Sequence, residues 1–135
     1  MTRKEKITGI KKHVSQMTEL ESDFLMRKFY QIDKTSWSFT PYCQERFNER
    51  NIKPEHFLTL WSTPDLIEYH QHKDTHRILL RSRRAQDEKQ VCAVFDLTNK
   101  VIVTVWTNWI NNHHDNLVIE AYNKRVDILE EMTGS

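Results

Sequence analysis

The run HRILLRSR, residues 76–83, sets Arg77, Arg81 and Arg83 at even spacing. In an extended strand these three share one side with Leu79, while Ile78 and Leu80 take the other. A later run, KVIVTVWT at 100–107, alternates in the same way. Val101, Val103 and Val105 form the expected buried row, and Ile102, Thr104 and Trp106 form the opposite one. A guanidinium fork grips phosphate through paired hydrogen bonds, and an indole ring stacks on a base or sugar. Arginines on a solvated strand also discourage edge pairing, and a tryptophan can simply cover their stems.

Seven histidines accompany these cations. RNA brings its own nucleophile, the 2′-hydroxyl. A protein that cleaves it must supply a base, an acid and cations for the phosphorane. Imidazole suits both proton roles because it titrates near neutrality. Arg77, Arg81, His114, His76 and Thr104 are therefore the candidate catalytic residues, with Trp106 as a stacking platform. His113 is an equivalent neighbour of His114 in the polar stretch that follows the last strand. Carboxylates are scattered, so two-metal hydrolysis is poorly supplied. HQHKDTH spaces His70, His72, Asp74 and His76 two apart, which is ligand-like in an extended chain and equally ordinary in a polar turn. No metal is expected, because that run reads better as a polar turn, and no cofactor, because the chain's two glycines cannot build a phosphate cradle.

These side chains need elements to position them. Residues 3–33 read as helical with a break near Gly9, and Leu20, Phe24, Met26, Phe29 and Tyr30 form an apolar stripe. Thr40 caps a helix that Pro41 opens, with Cys43, Phe47 and Arg50 to one side. A second proline, in KPEHFLTLW, opens a short helix whose Phe57, Leu58 and Trp61 pack inward. The period then shifts to strands: DLIEYHQ, HRILLRSR, QVCAVFDL and KVIVTVWT. The last two are joined so tightly that an antiparallel hairpin is nearly forced. NLVIEAYNKRVDILEEM reads as a closing helix bearing Leu117, Ala121, Val126, Ile128 and Leu129. The fold class is α+β: N-terminal helices, a mostly antiparallel sheet of about four strands, then a C-terminal helix. Residues 1–37 read as a helical extension or partner-binding arm, and 38–135 as the α+β domain.

The totals agree with a small folded domain of 135 residues, 38% of them apolar, with four Trp and six Phe for a core. Net charge is +1, but cations concentrate early and within 76–106, whereas acids outnumber cations in the last 25 residues. Cys43 and Cys92 form no motif, no signal peptide or spanning segment is apparent, and a cytoplasmic location is the default.

The run FTPYCQERFNERNIKPEHFLTLW, followed by DLIEYH, HRILLRS and QVCAVFDLTNKVIVTVW, resembles the small RelE/barnase-type ribonuclease toxins. It is nearest to short toxin-like domains with an "ERxxERxI" helix and a final "vxTvW" strand. Glu45-Arg46, Glu49-Arg50 and Ile52 match the helix, Arg77 and Arg81 the basic strand, and Thr104-Val105-Trp106 the last strand. The likeness covers residues 38–115. It implies a metal-independent endoribonuclease acting on RNA, restrained by an antitoxin or immunity protein. Arg46, Arg50 and Tyr42 then become substrate-binding candidates. Tyr42 stands where the family helix commonly carries a histidine, and a tyrosine is a poor base at neutral pH. The alternative is a non-catalytic interaction protein that binds a protein or nucleic-acid partner through the same basic, aromatic face. A helix-turn-helix over 40–61 is a third reading, disfavoured by Trp61 and the sheet that follows.

Overall fold

The structure, a computed structural model, describes residues 9–49, 52, 57–62, 64–83, 88–109 and 122–133. Its centre is a six-stranded sheet built from β1 (Gly9–His13), β2 (Ser38–Phe39), β3 (Pro64–His72), β4 (Thr75–Ser82), β5 (Lys89–Asp96) and β6 (Val101–Trp109). The spatial order is β1-β3-β4-β5-β6-β2. All neighbours are antiparallel except the two-residue β2, which lies parallel to β6. Among the described residues, three bounded α-helices accompany it: α1 (Glu19–Gln31), α2 (Pro41–Glu49) and α3 (Ile128–Thr133). The α+β class follows directly. No helix among the described residues is long and apolar enough to cross a membrane.

The four expected strands are β3 to β6, and two more were hidden. Residues 9–13, expected to be helical, form an edge strand paired with β3. The helix starts only at Glu19, where Thr18 accepts from the Glu21 N–H and the Glu21 carboxylate accepts from the Thr18 N–H. That reciprocal cap fixes where helical geometry begins. Within residues 9–37, β1 belongs to the sheet, and Leu25, Phe29 and Trp37 belong to the core.

The face α1 buries also differs from the expected stripe. Leu20 is 71% exposed and Tyr30 55%, while Glu21, Leu25 and Phe29 are buried. Pattern reading passes over a glutamate in the middle of a core stripe. Lys12 on β1 makes it tolerable. The Lys12 ammonium donates to both Glu21 oxygens at 2.7 and 3.0 Å and to the Val126 carbonyl at 2.7 Å. The same carboxylate accepts from the Ile128 N–H at 2.9 Å. Burial works against ionisation of Glu21, but Lys12 and the two backbone donors outweigh it and hold the carboxyl below its ordinary range. One ion pair thus ties β1, α1 and the C-terminal segment together.

That segment is the third correction. Residues 122–127 are not helical, and only Ile128–Thr133 are. The Asn123 N–H donates instead to the Lys11 carbonyl on the sheet edge. Leu58, expected to pack inward, is 57% exposed, whereas Leu60 is fully buried.

On the helix-covered side of the sheet, Leu66 and Tyr69 line up with Leu80 and Ile78, then with Ala93 and Phe95. Phe29 is the hub that joins α1 to this row: its ring lies 4.9 Å from Phe95, 5.5 Å from Trp61 and 6.0 Å from Trp37. The register shifts between Val94 and Phe95, so Phe95 faces Ile102 while Val94 faces Thr104. Val103 is the extra residue, and the bulge turns Ile102 into the core with Val105 in place of Val101 and Val103. Thr40 caps α2 as expected, accepting from the Cys43 N–H at 3.0 Å, and its hydroxyl donates to the Val103 carbonyl.

Candidate anion site on the second face of the sheet

The other face of the sheet carries Arg77 and Arg81, as alternation requires. It is not an open platform. Arg81, Leu79, Cys92 and Asp96 on it are all buried. Arg81 donates through Nε to the Gln90 amide oxygen at 2.7 Å and through Nη2 to the Trp109 carbonyl at 3.0 Å. Its guanidinium therefore ties β4 to β5 and to the end of β6. Arg81→Ala should lower stability by about 1.5–3 kcal/mol for each charged hydrogen bond lost, read from the urea unfolding midpoint. An unchanged midpoint would show that Arg81 is not structural.

Arg77 is held differently. Among the described residues its carboxylate partner is Asp96, whose Oδ2 lies 3.7 Å from Nε, and Nε is buried without a hydrogen bond. Asp96 is committed elsewhere: it accepts from the Thr98 and Asn99 N–H groups at 2.9 Å and from the Asn99 side chain at 3.2 Å. These bonds close the β5–β6 turn, where Lys100 adopts a left-handed φ of 59°. The guanidinium is therefore near a carboxylate that is already largely satisfied.

The two-residue turn Lys73–Asp74 fixes what stands beside it. It pairs His70 with Arg77 and His72 with Thr75. On the far side of β3, Lys11 of β1 pairs with His70. Lys11, His70 and Arg77 thus form one cross-strand row, each about 5 Å from the next at Cβ. The His72 ring sits 5.5 Å from that of His70, edge to face. Burial first, and then the charges of Lys11, His72 and Arg77, push His70 down to about 4. His72 is lowered as well, by burial and by Arg77 and Lys73, with Asp96 opposing. Both imidazoles are neutral at pH 7, among cations. Among the described residues, donors and positive charge converge and no uncommitted carboxylate balances them, an arrangement suited to an oxyanion.

A tyrosine bounds the row on the next register step. The Tyr122 hydroxyl donates to Glu68 at 2.6 Å, and its ring meets His13 edge-on at 5.4 Å. Burial, with the Glu68 carboxylate, raises the Tyr122 phenol well above its usual range, so it stays protonated.

The residues expected from sequence are dispersed. His76 pairs with Gln71 and points to the helix-covered side, where its Nδ1 lies 2.7 Å from the Tyr69 hydroxyl. It cannot join the arginines, and the ligand-like set His70, His72, Asp74 and His76 does not converge. Among the described residues, no group of three or more His, Cys, Asp or Glu is placed to hold a metal. Thr104 and Trp106 lie on the Arg81 side, opposite Val94 and Cys92, away from the Arg77 row. Tyr42 and Arg46 stack on each other at 4.5 Å on α2, and Arg46 also pairs with Glu49. Arg50, His113 and His114 lie outside the described residues, as does the asparagine-rich stretch around the histidines. Cys43 and Cys92 are buried thiols outside any disulfide, pushed up to about 11 and about 12 by burial, which leaves them unreactive at neutral pH.

Sequence reasoning missed the roles of His70, His72 and Lys11. A signal for the first two existed: counting back from a two-residue turn places His70 opposite Arg77. Lys11 was legible only as part of the basic run TRKEKITGIKKH, an arm able to contact phosphates, and its pairing with His70 was hidden while the segment read as helix. No family model, curated protein or solved structure matches this chain.

Proposed function

We propose that this protein binds RNA through a phosphate held by Arg77, Lys11, His70 and His72, and cleaves it without a metal ion. The observation that supports the reading is the cross-strand row Lys11–His70–Arg77 on one face. Arg77 and Lys11 hold the non-bridging oxygens. One neutral imidazole accepts the 2′-hydroxyl proton as that oxygen attacks phosphorus. The other, protonated once the phosphate is bound, delivers a proton to the departing 5′-oxygen. The P–O5′ bond breaks as the P–O2′ bond forms, leaving a 2′,3′-cyclic phosphate and a 5′-hydroxyl. In the toxin reading, an antitoxin or immunity protein acts by covering this row.

Purified protein should cleave single-stranded RNA equally well with and without EDTA. A single 2′-deoxy linkage at the cut site should abolish cutting there, and cleavage at that linkage would refute the mechanism. The second reading, a non-catalytic interaction protein, is favoured by the dispersal of Arg81 and His76 away from the row. It predicts RNA or protein binding at the row with no product formed.

A further inference from the structure

We propose that the Lys11–His70–His72–Arg77 cluster takes up a proton as it binds a phosphodiester, so that its affinity for RNA strengthens as the medium is acidified. The inference rests on the anion reading of this row and adds its regulation. It begins from the described groups around His70. Lys11 faces it from β1, Arg77 from β4, and His72 and Glu68 flank it along β3. Lys73 and Asp96 bear on His72. Two of these are carboxylates, and both are occupied: Glu68 by the Tyr122 hydroxyl, Asp96 by its turn. Among the described residues the charges facing the two imidazoles are therefore mostly cationic, and together with burial they lower the pKa of both.

A bound phosphodiester reverses this balance. An oxyanion within hydrogen-bond reach stabilises imidazolium, and it also neutralises Lys11 and Arg77, the charges that had opposed protonation. The imidazole pKa in the complex then lies above that in the free protein. Between the two values, binding and protonation assist one another. Affinity rises as pH falls through the upper value and levels off below the lower one. The two processes are linked reciprocally, so a proton taken up on binding must appear as a pH dependence of affinity.

The probe is a short oligothymidylate, which cannot be cleaved by 2′-hydroxyl attack and whose phosphodiesters and bases do not titrate between about pH 5 and about pH 8. Titration calorimetry of the full chain in two buffers of different ionisation enthalpy at about pH 6 reads proton uptake directly. The expected result is a buffer-dependent binding enthalpy corresponding to net uptake, with affinity rising about tenfold between about pH 7 and about pH 5. Equal enthalpies in the two buffers would overturn the inference, and so would the absence of oligothymidylate binding. His70→Gln combined with His72→Gln should flatten the pH dependence, and uptake that persists undiminished in that variant would place the protons elsewhere and overturn the assignment. The wild-type calorimetry stands even if the variant folds poorly. RNA cleavage without proton-linked binding would remove this inference and leave the ribonuclease reading. Proton-linked binding without cleavage would do the reverse.

Discussion

Glu21→Ala should cost about 3–5 kcal/mol of stability, because it leaves a buried ammonium without its counter-charge. Lys12 is 4% exposed and Glu21 is 4% exposed, so neither side chain can turn to water. Removing the carboxylate strips Lys12 of two hydrogen bonds and leaves the Thr18 and Ile128 N–H groups without their acceptor. Those amides start α1 and lead into α3, so the loss reaches both helices. Lys12→Met alone should be similarly costly, since it strands the carboxylate. The double variant Lys12→Met/Glu21→Ala should lose much less than the sum of the two single losses, the signature of a coupled pair. Urea denaturation of the four proteins measures it, and strictly additive losses would show that the pair is not a unit. The pH dependence has a definite sign. The folded-state value of Glu21 lies below its ordinary 4.5, so its contribution is complete above that value and is lost as pH falls through the folded-state value.

Arg77→Ala should lower RNA cleavage by about 10²–10³-fold, the usual effect of removing one well-placed donor to a developing oxyanion. Its stability should change little, within about 1 kcal/mol, because its carboxylate neighbour among the described residues is 3.7 Å away and bonded to the turn. Arg77→Lys should recover part of the activity, since a point charge replaces the charge but not the fork. The contrast with Arg81 gives the measurement its force. Both arginines lie on one strand face four residues apart, yet Arg81 is pinned by Gln90 and Trp109. Activity per folded molecule should fall for Arg77→Ala and hold for Arg81→Ala. The opposite pattern would move the site to the buried arginine and defeat the row.

The amino-acid sequence by itself determined the α+β class, the four strands β3 to β6, the start of α2 at Thr40–Pro41 and the shared face of Arg77 and Arg81. These are local features: alternation of period two, a capping hydroxyl and a proline at the first helical position act over a few residues. Tertiary structure decided the rest. GIKKH becomes a strand because β3 offers it an edge, and Lys12 is buried because Glu21 from another element meets it. The bulge at Val103 rotates Ile102 inward, a change that alternation alone cannot foresee. The turn at Lys73–Asp74 and the pairing of β1 decide which cations and imidazoles face one another, sending His70 to Arg77 and His76 to Tyr69. The hairpin that sets His70 opposite Arg77 is local and follows from its turn, whereas the pairing of β1 with β3 that brings Lys11 to the row joins distant segments and is encoded by neither alone.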